Sequence, residues 1–112
     1  MVEQNCIFCS IINKKIPATV VLENDDVIVI NDIHPKAPVH YLVIPKKHVA
    51  DFMTLTNDNE MVLHNVREMI QKIGASLPGQ SFRLLINNGA GAGQSVFHLH
   101  FHMLAGKNMG GF

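Results

Sequence analysis

One segment near the end of the chain alternates histidine with apolar residues, and it limits the possible folds more than any other feature. It runs His98-Leu99-His100-Phe101-His102-Met103-Leu104. Successive side chains of a β-strand point to opposite faces. The segment therefore predicts a strand that buries its apolar residues and presents three imidazoles in a row on the other face.

The histidine row indicates chemistry, although its residues alone leave alternatives open. Imidazole is the side chain most often used for proton transfer and metal ligation near neutral pH. Two other interpretations are a solvated strand face and a metal site that uses all three imidazoles. Histidine is a rare residue, so three at a spacing of two argue against a chance arrangement on a solvated face.

The composition predicts one globular domain, residues 1–112, without bulk attraction to polyanions. Hydrophobic residues make up 47% of the chain and charged residues 16%, which allows a buried core. Nine basic and nine acidic residues cancel to a formal net charge of zero, so we expect no nucleic-acid partner and no membrane association. No apolar run approaches the ~20 residues of a membrane span. The start, Met1–Asn5, lacks the features of a secretory signal, and we expect a cytoplasmic protein.

Hydrophobic periodicity predicts one short and one long helix. The short helix covers Ile7–Ile12 and ends before Pro17. The long helix buries the apolar face of Val62–Ile73, with Asn57 and Glu60 as a capping box, and Gly74 or Pro78 would end it.

Five strands are predicted around these helices, with a hairpin turn at Asn24-Asp25-Asp26. They are Val20–Leu22, Val27–Ile30, His40–Ile44, Phe82–Ile86 and His98–Leu104. Strands in sequence, short turns and one long helix indicate an α+β domain with a mainly antiparallel sheet.

A glycine-rich loop, Asn87–Ser95, lies just before the histidine row. Its glycines, including Gly93, let the backbone approach a ligand and turn N–H groups toward an anion, while Gln94 and Ser95 add donors. Beside the three imidazoles it is a candidate phosphate cradle. A neutral imidazole is a good nucleophile toward phosphorus, and a neighbouring imidazolium can protonate the leaving group. The two features together indicate phosphorus chemistry.

Cys6 and Cys9 form a C-x-x-C pair that by itself allows free thiols, metal ligands or a redox pair. A thioredoxin-type role needs a βαβ unit, which the pattern lacks. A zinc finger needs two histidines about a dozen residues further on, whereas the nearest histidine is His34.

The ordered set of motifs resembles the histidine triad (HIT) family, whose motif is His-apolar-His-apolar-His followed by two apolar residues. The resemblance covers nearly the whole chain: Ile7-Phe8, Asp32–His40, Ile44–His48, Gly93–Phe97 and the triad itself. Within the family the sequence is most similar to the Hint branch, nucleotide-binding proteins that act as purine nucleoside phosphoramidases and also hydrolyse aminoacyl adenylates. The ending Leu104–Met109 supports that branch.

The resemblance implies catalytic roles for matched residues. His100 would be the nucleophile that forms a nucleotidyl-histidine intermediate. His98 and His102 would orient it and stabilise charge, and His40 would complete a four-histidine arrangement. Contacts to the phosphate and the leaving group would come from Ser95 and Gln94.

The resemblance also implies a nucleotide site. Asp32 would bind the ribose hydroxyls, which suits a short carboxylate that accepts two hydrogen bonds. The base would lie in an apolar slot formed by Phe8, Ile11, Ile33 and Leu42, although burial in an ordinary core is the simpler explanation for most of these. Near the nucleotide would also lie His34, Asn87 and Gly93.

Zinc is a further implication, because some bacterial histidine triad proteins with this C-x-x-C start bind it structurally. The ligands here would be Cys6, Cys9, His48 and His98, a complete tetrahedral set. With zinc bound, His98 is a ligand and has no direct catalytic role, and catalysis itself needs no cofactor. The alternative is a reduced pair that packs as small hydrophobes.

The expected protein is a HIT-like homodimer that joins two five-stranded sheets and acts on purine mononucleotide (AMP or GMP) conjugates. It would hydrolyse a nucleoside 5′-phosphoramidate or acyl adenylate through attack of His100 on the α-phosphorus. The alternatives are a dinucleoside polyphosphate hydrolase, a nucleotide-sensing or protein-binding module with little turnover, and a metal-binding protein. Two departures from the Hint branch bear on substrate preference: His34 replaces a frequent serine, and the sequence ends at Phe112 where relatives commonly continue toward the partner's site.

Overall fold

A five-stranded antiparallel sheet forms the centre of the protein. The computed structural model describes residues 5–111, and the strands lie in the order β1-β2-β3-β5-β4. The strands are β1 (Val20–Glu23), β2 (Val27–Asn31), β3 (Val39–Pro45), β4 (Arg83–Leu85) and β5 (Phe101–Ala105). The helices are α1 (Ile7–Ile12) and α2 (Glu60–Gly74). The predicted α+β class, with one short and one long helix, is confirmed.

One face of the sheet is anchored by α2. Alternate residues of the strands point toward this helix, as the period of two requires. The cluster contains Val27, Val29, Val43, Leu99, Phe101 and Met103 from the sheet side, and Val62, Val66, Met69, Ile70 and Ile73 from α2. The apolar half of the histidine row is therefore buried as predicted, and each such side chain stabilises the fold by roughly 1.5–3 kcal/mol.

The opposite face carries α1 and the histidines. The intervening residues of β2 and β3 contact the short helix in a second cluster, which contains Cys6, Phe8, Cys9, Ile11, Ile28, Ile30, Leu42 and Ile44. Leu42 pairs with His102 across β3 and β5, and paired residues share a face. The histidine row is thus continuous with the surface that α1 covers.

Caps at both ends and packing on the sheet support α1, because six residues are too few for a stable isolated helix. At its start the backbone N–H of Cys9 donates to Sγ of Cys6, 3.3 Å away. At its end Nδ2 of Asn13 donates to the carbonyl of Cys9 at 2.7 Å. The next turn is tied to β1 by an ion pair between Lys14 and Glu23 at 2.9 Å. The position of α1 therefore depends on what its cysteines contact.

The predicted fifth strand began too early. Pairing with β3 ends at Val43 opposite Phe101, so the first part of the histidine row precedes β5. There the N–H of Leu99 donates to the carbonyl of Val49 at 2.6 Å in place of a ladder bond. His98 and His100 consequently lie on an irregular segment before β5, where the backbone carbonyl of His98 accepts a hydrogen bond from a side chain.

Two smaller predictions also differ from the structure. The predicted strand Phe82–Ile86 is reduced to Arg83–Leu85. The predicted capping box of Asn57 and Glu60 is wrong, because the N–H of Thr56 donates to Oδ1 of Asn59 at 2.7 Å one residue earlier. A short 3₁₀ turn, Asn57–Asn59, precedes α2 and shifts the helix start.

No helix among residues 5–111 is long and apolar enough to cross a membrane. The prediction about a secretory signal concerns Met1–Asn5, and the first four of these residues lie outside the described part of the chain.

Met103 tests the anchoring of β5 on α2. Its side chain is 0% exposed, and Met103→Ala should reduce the free energy of unfolding by about 2–5 kcal/mol through lost burial and a cavity. Met61→Ala on α2, where the side chain is 57% exposed, is the matched control and should change it by less than about 0.5 kcal/mol. Urea denaturation measures both, and equal losses would contradict the proposed core.

Candidate active site and metal centre

His98 is completely buried, and its ring orientation is set by a backbone carbonyl. Its Nε2 lies 2.7 Å from the carbonyl oxygen of Pro45. A carbonyl only accepts, so Nε2 carries the proton and Nδ1 presents a lone pair. Burial lowers the pKa of His98 to about 4, against the opposing effect of the Pro45 hydrogen bond. The ring is therefore neutral near pH 7 and suited to metal ligation.

His100 has the tautomer that a nucleophile needs. Its Nδ1 donates to the backbone carbonyl of His98 at 2.7 Å, which leaves the lone pair on Nε2. The edge of the Phe8 ring meets it with ring centroids 5.0 Å apart. Burial lowers the pKa of His100, opposed by the His98 carbonyl and by Asp32. A neutral imidazole with a free Nε2 can attack an electrophilic phosphorus.

His102 accepts a hydrogen bond from His40. The N–H of Lys36 donates to Nδ1 of His40 at 3.0 Å, so His40 carries its proton on Nε2. That nitrogen lies 2.9 Å from Nδ1 of His102 and donates to it. His102 must then hold its own proton on Nε2, as a hydrogen-bond donor beside His100, whose ring centroid is 5.2 Å away.

The protonation of His102 follows from its surroundings. Burial and the neighbouring rings of His100 and His40 lower the pKa of His102 to about 4, and the negative charge of Asp32 opposes them only in part. In the resting protein His102 is therefore neutral near pH 7. The predicted imidazolium would need additional negative charge, such as a bound phosphate.

Asp32 lies against this pair. Its Oδ2 is 3.4 Å from Nε2 of His40 and 4.0 Å from Nδ1 of His102, and its Oδ1 accepts from the N–H of His34 at 2.8 Å. Two imidazoles and a carboxylate are a common metal-binding set. Here, however, Nε2 of His40 is protonated because its other nitrogen accepts from Lys36. The group is a hydrogen-bonded cluster, not a metal site, as long as that bond persists.

The glycine-rich loop is held in shape by Gln94. Its Oε1 accepts from the N–H of Gly89 at 2.8 Å. Its Nε2 donates to the carbonyls of Ala50 at 2.9 Å and Val96 at 3.0 Å. Gly89 and Gly93 have φ values of 87° and 99°, which favour glycine. Both ends of the Gln94 amide therefore have backbone partners, and its contact with a leaving group stays a prediction.

The predicted nucleotide contacts are divided between the interior and the surface. Phe8, Ile11 and Leu42 are buried in the α1 cluster, and Phe8 also contacts His100. Ile33, by contrast, is 87% exposed. His34 and Ser95 are also exposed, and Asn87 is half-buried. The base-binding and phosphate-binding roles of these residues stay predictions.

The structure brings Cys6, Cys9, His48 and His98 into one cluster. Nδ1 of His98 lies 3.3 Å from Sγ of Cys6 and 3.6 Å from Sγ of Cys9. Nδ1 of His48 lies 3.4 Å from Sγ of Cys9 and 3.1 Å from Nδ1 of His98. All four ligand atoms fall within 4.8 Å of one another. Residues far apart in sequence thus converge on one point.

These separations fit the edges of a zinc-centred tetrahedron. Normal Zn–N and Zn–S bond lengths place two nitrogen ligands about 3.3 Å apart and a nitrogen and a sulfur about 3.5 Å apart. Burial raises the pKa of the Cys6 thiol, whereas a bound cation would favour the thiolate. The donor set and its spacing are therefore those of a structural zinc site.

The atoms that fix the histidine tautomers were not predictable from sequence. They are the carbonyls of Pro45 and His98 and the N–H of Lys36. Every residue except proline carries both groups, so no residue type marks them. Only the folded backbone shows which ones meet an imidazole.

Comparison with known protein families agrees with this geometry. Residues 5–112 match the family model described as "Scavenger mRNA decapping enzyme C-term binding". A HIT-like protein of Synechocystis sp. is 42% identical over 105 residues, which cover 93% of this chain and 92% of the relative. Protein HitA of Neisseria gonorrhoeae is 41% identical over 101 residues, with 89% and 94% covered.

Solved structures are similar over nearly the full length. A HIT family hydrolase from Clostridium thermocellum has 40% identity and a TM-score of 0.93, with 99% of this chain and 98% of that chain covered. A histidine triad protein from Clostridium difficile has 38% identity and a TM-score of 0.94, with 100% and 99% covered. The chain belongs to the HIT family and has the HIT-like fold, as its motifs predicted.

The neutral state of His102 predicts a dependence of stability on pH. A histidine whose pKa is lower in the folded protein destabilises the fold as it gains a proton. The contribution of neutral His102 to the free energy of unfolding is fully present above about pH 6.5 and declines as the pH falls to about 4. His102→Asn has no titrating ring and should reduce this decline by roughly 2 kcal/mol. Unfolding free energies measured between pH 7 and pH 4.5 test this, and parallel curves for both proteins would contradict it.

Proposed function

We propose that the protein hydrolyses purine nucleoside 5′-phosphoramidates or acyl adenylates through a nucleotidyl-histidine intermediate. The observation that carries the proposal is His100, whose Nδ1–H is held by the carbonyl of His98 so that Nε2 is the nucleophile. The similarity to solved HIT family hydrolases supports a hydrolytic reaction.

In the first step the Nε2 lone pair of His100 attacks the α-phosphorus. A new P–N bond forms, and the bond from phosphorus to the amine nitrogen or acyl oxygen breaks. The electron pair leaves with an amine, which takes a proton from water, or with a carboxylate, which needs none. Splitting one displacement into two through a covalent intermediate lowers each barrier.

His102 stabilises the charge that develops on the phosphoryl group. Its Nε2 carries the proton and is a donor because His40 donates to its Nδ1. The N–H of Lys36 in turn fixes His40. A donor oriented before the reaction begins costs no reorganisation in the transition state. His40 acts through His102 and is a positioning residue.

In the second step water attacks the phosphorus of the intermediate. The bond between phosphorus and Nε2 of His100 breaks, and its electron pair returns to the imidazole. The water proton passes to the solvent, and the nucleoside monophosphate is released. The lowered pKa of His100 favours the return of the neutral ring, ready for another cycle.

The nucleotide would be held by local groups. Oδ2 of Asp32 faces the histidine cluster and is the acceptor proposed for a ribose hydroxyl. Backbone N–H groups of the glycine-rich loop and the exposed hydroxyl of Ser95 are the donors proposed for the phosphate. A net charge of zero is compatible with this arrangement, because a mononucleotide needs a few directed hydrogen bonds and no extended basic surface.

We also propose that zinc occupies the Cys6, Cys9, His48 and His98 cluster. A closed four-ligand site supplies no open position for substrate and instead crosslinks distant segments. Here it would join α1 to the segment that precedes β5. His98 is then a metal ligand through its side chain, and no reaction step passes through the metal.

His100→Ala tests the mechanism directly. The variant lacks the nucleophile and should lose turnover of adenosine 5′-phosphoramidate by about 10³-fold or more, while it still binds AMP. His64→Ala, an exposed histidine on α2, is the matched control and should keep full activity. Release of ammonia and calorimetric AMP binding are the measurements. Unchanged turnover in His100→Ala would refute the mechanism.

The same assay separates the other functions that the sequence allows. Faster turnover of diadenosine polyphosphates than of the phosphoramidate would favour a dinucleoside polyphosphate hydrolase. AMP binding without turnover of any of these substrates would favour a nucleotide-sensing module.

A homodimer is proposed from the edge of the sheet. β4 is an edge strand of the sheet formed by residues 5–111, and Leu84 is 46% exposed there. Exposed apolar edge strands favour pairing with a second chain. Two copies joined along β4 would form one continuous ten-stranded sheet, twice the five strands of one chain.

The dimer proposal predicts a change in mass. Sedimentation velocity should give twice the chain mass of 12.4 kDa for the wild type. Leu84→Lys places a charge at the edge and should shift the protein toward monomer, whereas Leu63→Lys on the exposed side of α2 should not. A monomeric wild type at micromolar concentration would refute the proposal.

A further inference from the structure

His98 connects the proposed metal cluster to the proposed nucleophile, His100. Its Nδ1 lies in the proposed metal cluster, 3.3 Å from Sγ of Cys6 and 3.1 Å from Nδ1 of His48. Its backbone carbonyl accepts the 2.7 Å hydrogen bond from Nδ1 of His100. Any rotation of the peptide group at His98 therefore moves the group that sets the orientation and tautomer of the nucleophile.

Phe8 forms a second connection between the same sites. It lies on α1 between the two cysteines of the cluster, so Cys6 and Cys9 determine where its ring can be. The ring meets His100 edge to face with centroids 5.0 Å apart and an interplanar angle of 81°. It also meets His98 at 5.9 Å. The metal cluster is thus connected to His100 in two ways, through the backbone carbonyl of His98 and through the ring of Phe8.

We propose that the metal ion held by Cys6, Cys9, His48 and His98 positions His100, so that occupancy of the metal site sets the rate of the reaction and not only the stability of the fold. The proposal rests on the proposed function for the reaction whose rate is set. The physical reason is that His98 is held at Nε2 by the Pro45 carbonyl and at Nδ1 by the metal, which leaves its carbonyl little freedom. Small displacements of a reacting group have large effects on rate.

Within residues 5–111, the metal cluster borders a cavity on one side. A cavity of about 600 Å³ is lined by Cys6, His48, Ser95 and Phe97, among others, while the other two ligands of the cluster are buried behind it. In the part of the chain that the structure describes, two of the four ligand side chains therefore line a cavity, and we expect a chelator to remove the metal from the folded protein.

The decisive experiment compares the same protein loaded with ions of different size. The protein is stripped with a chelator and reloaded with Zn²⁺ or with Cd²⁺, whose longer bonds to sulfur and nitrogen spread the four ligands. Metal content is measured by mass spectrometry and folding by circular dichroism. We expect both forms to be folded, with kcat for adenosine 5′-phosphoramidate roughly 10-fold lower or more for Cd²⁺ and with KM changed much less.

A readout without substrate accompanies the kinetics. The Nδ1–H proton of His100 is observed by nitrogen-15 NMR of the imidazoles and assigned by its loss in His100→Ala. We expect this signal to be sharp and protected from exchange with Zn²⁺ bound, and to shift or broaden with Cd²⁺ or after stripping. This measurement tests the positioning of His100 even if the substrate proposed above is wrong.

Cys9→Ser and a matched core variant separate positioning from stability. Cys9 contributes Sγ to the cluster, 3.4 Å from Nδ1 of His48 and 3.6 Å from Nδ1 of His98, whereas Ile70→Ala on α2 removes buried volume on the opposite face of the sheet. Measured well below both melting temperatures, Cys9→Ser should lower kcat and disturb the His100 signal, and Ile70→Ala should do neither.

Equal kcat values and identical His100 signals with Zn²⁺ and Cd²⁺ would overturn the proposal and leave the metal a purely structural role. Equal kcat losses in Cys9→Ser and Ile70→Ala would overturn it as well. Absence of turnover in the zinc-loaded wild type would instead refute the proposed function, while the NMR comparison would still decide whether the metal positions His100.

Discussion

The hydrogen bond from Nδ1 of His100 to the carbonyl of His98 is the interaction on which the site depends. It selects the tautomer that leaves the lone pair on Nε2, and it requires that the carbonyl of His98 is not used in strand pairing. That condition holds because pairing with β3 stops at Phe101. The backbone of this segment then orients the side chain proposed as the nucleophile. In a longer strand the same backbone groups would be used in hydrogen bonds to β3.

One face of the sheet carries the main apolar core, and the other face carries the imidazoles. The face toward α2 is a continuous apolar core, and it holds β5 in position without any polar requirement. The face toward α1 carries the imidazoles, and each of them is oriented by a backbone group or by another imidazole. Burial keeps the pKa values of His98 and His102 low, so both rings are neutral ligands or donors near pH 7. A small chain can thus support directed chemistry without a deep pocket.

Sequence patterns predicted most elements but not their limits. The hairpin at Asn24 was found, and α2 ends at Gly74, one of the two predicted positions, because local residues decide both features. The start of β5 was missed, because it depends on where β3 stops pairing, and the cap before α2 was misplaced by one residue. Within the site, the hydrogen bonds of the Gln94 amide to the backbone of Gly89, Ala50 and Val96 are visible only in the folded chain. The contact of Gln94 with a ligand stays a prediction.

The sequence by itself determined the family and the alternation that buries one half of the histidine row, and the resemblance to that family implied the four clustered metal-ligand candidates. Periodicity and residue chemistry are local properties that a linear pattern records. Only the tertiary structure decided which nitrogen of each imidazole carries a proton, and that the peptide group of His98 joins the cysteine cluster to His100. These outcomes depend on backbone carbonyls and N–H groups, which every part of the chain shares and which acquire individual roles only when folding brings them to a particular side chain.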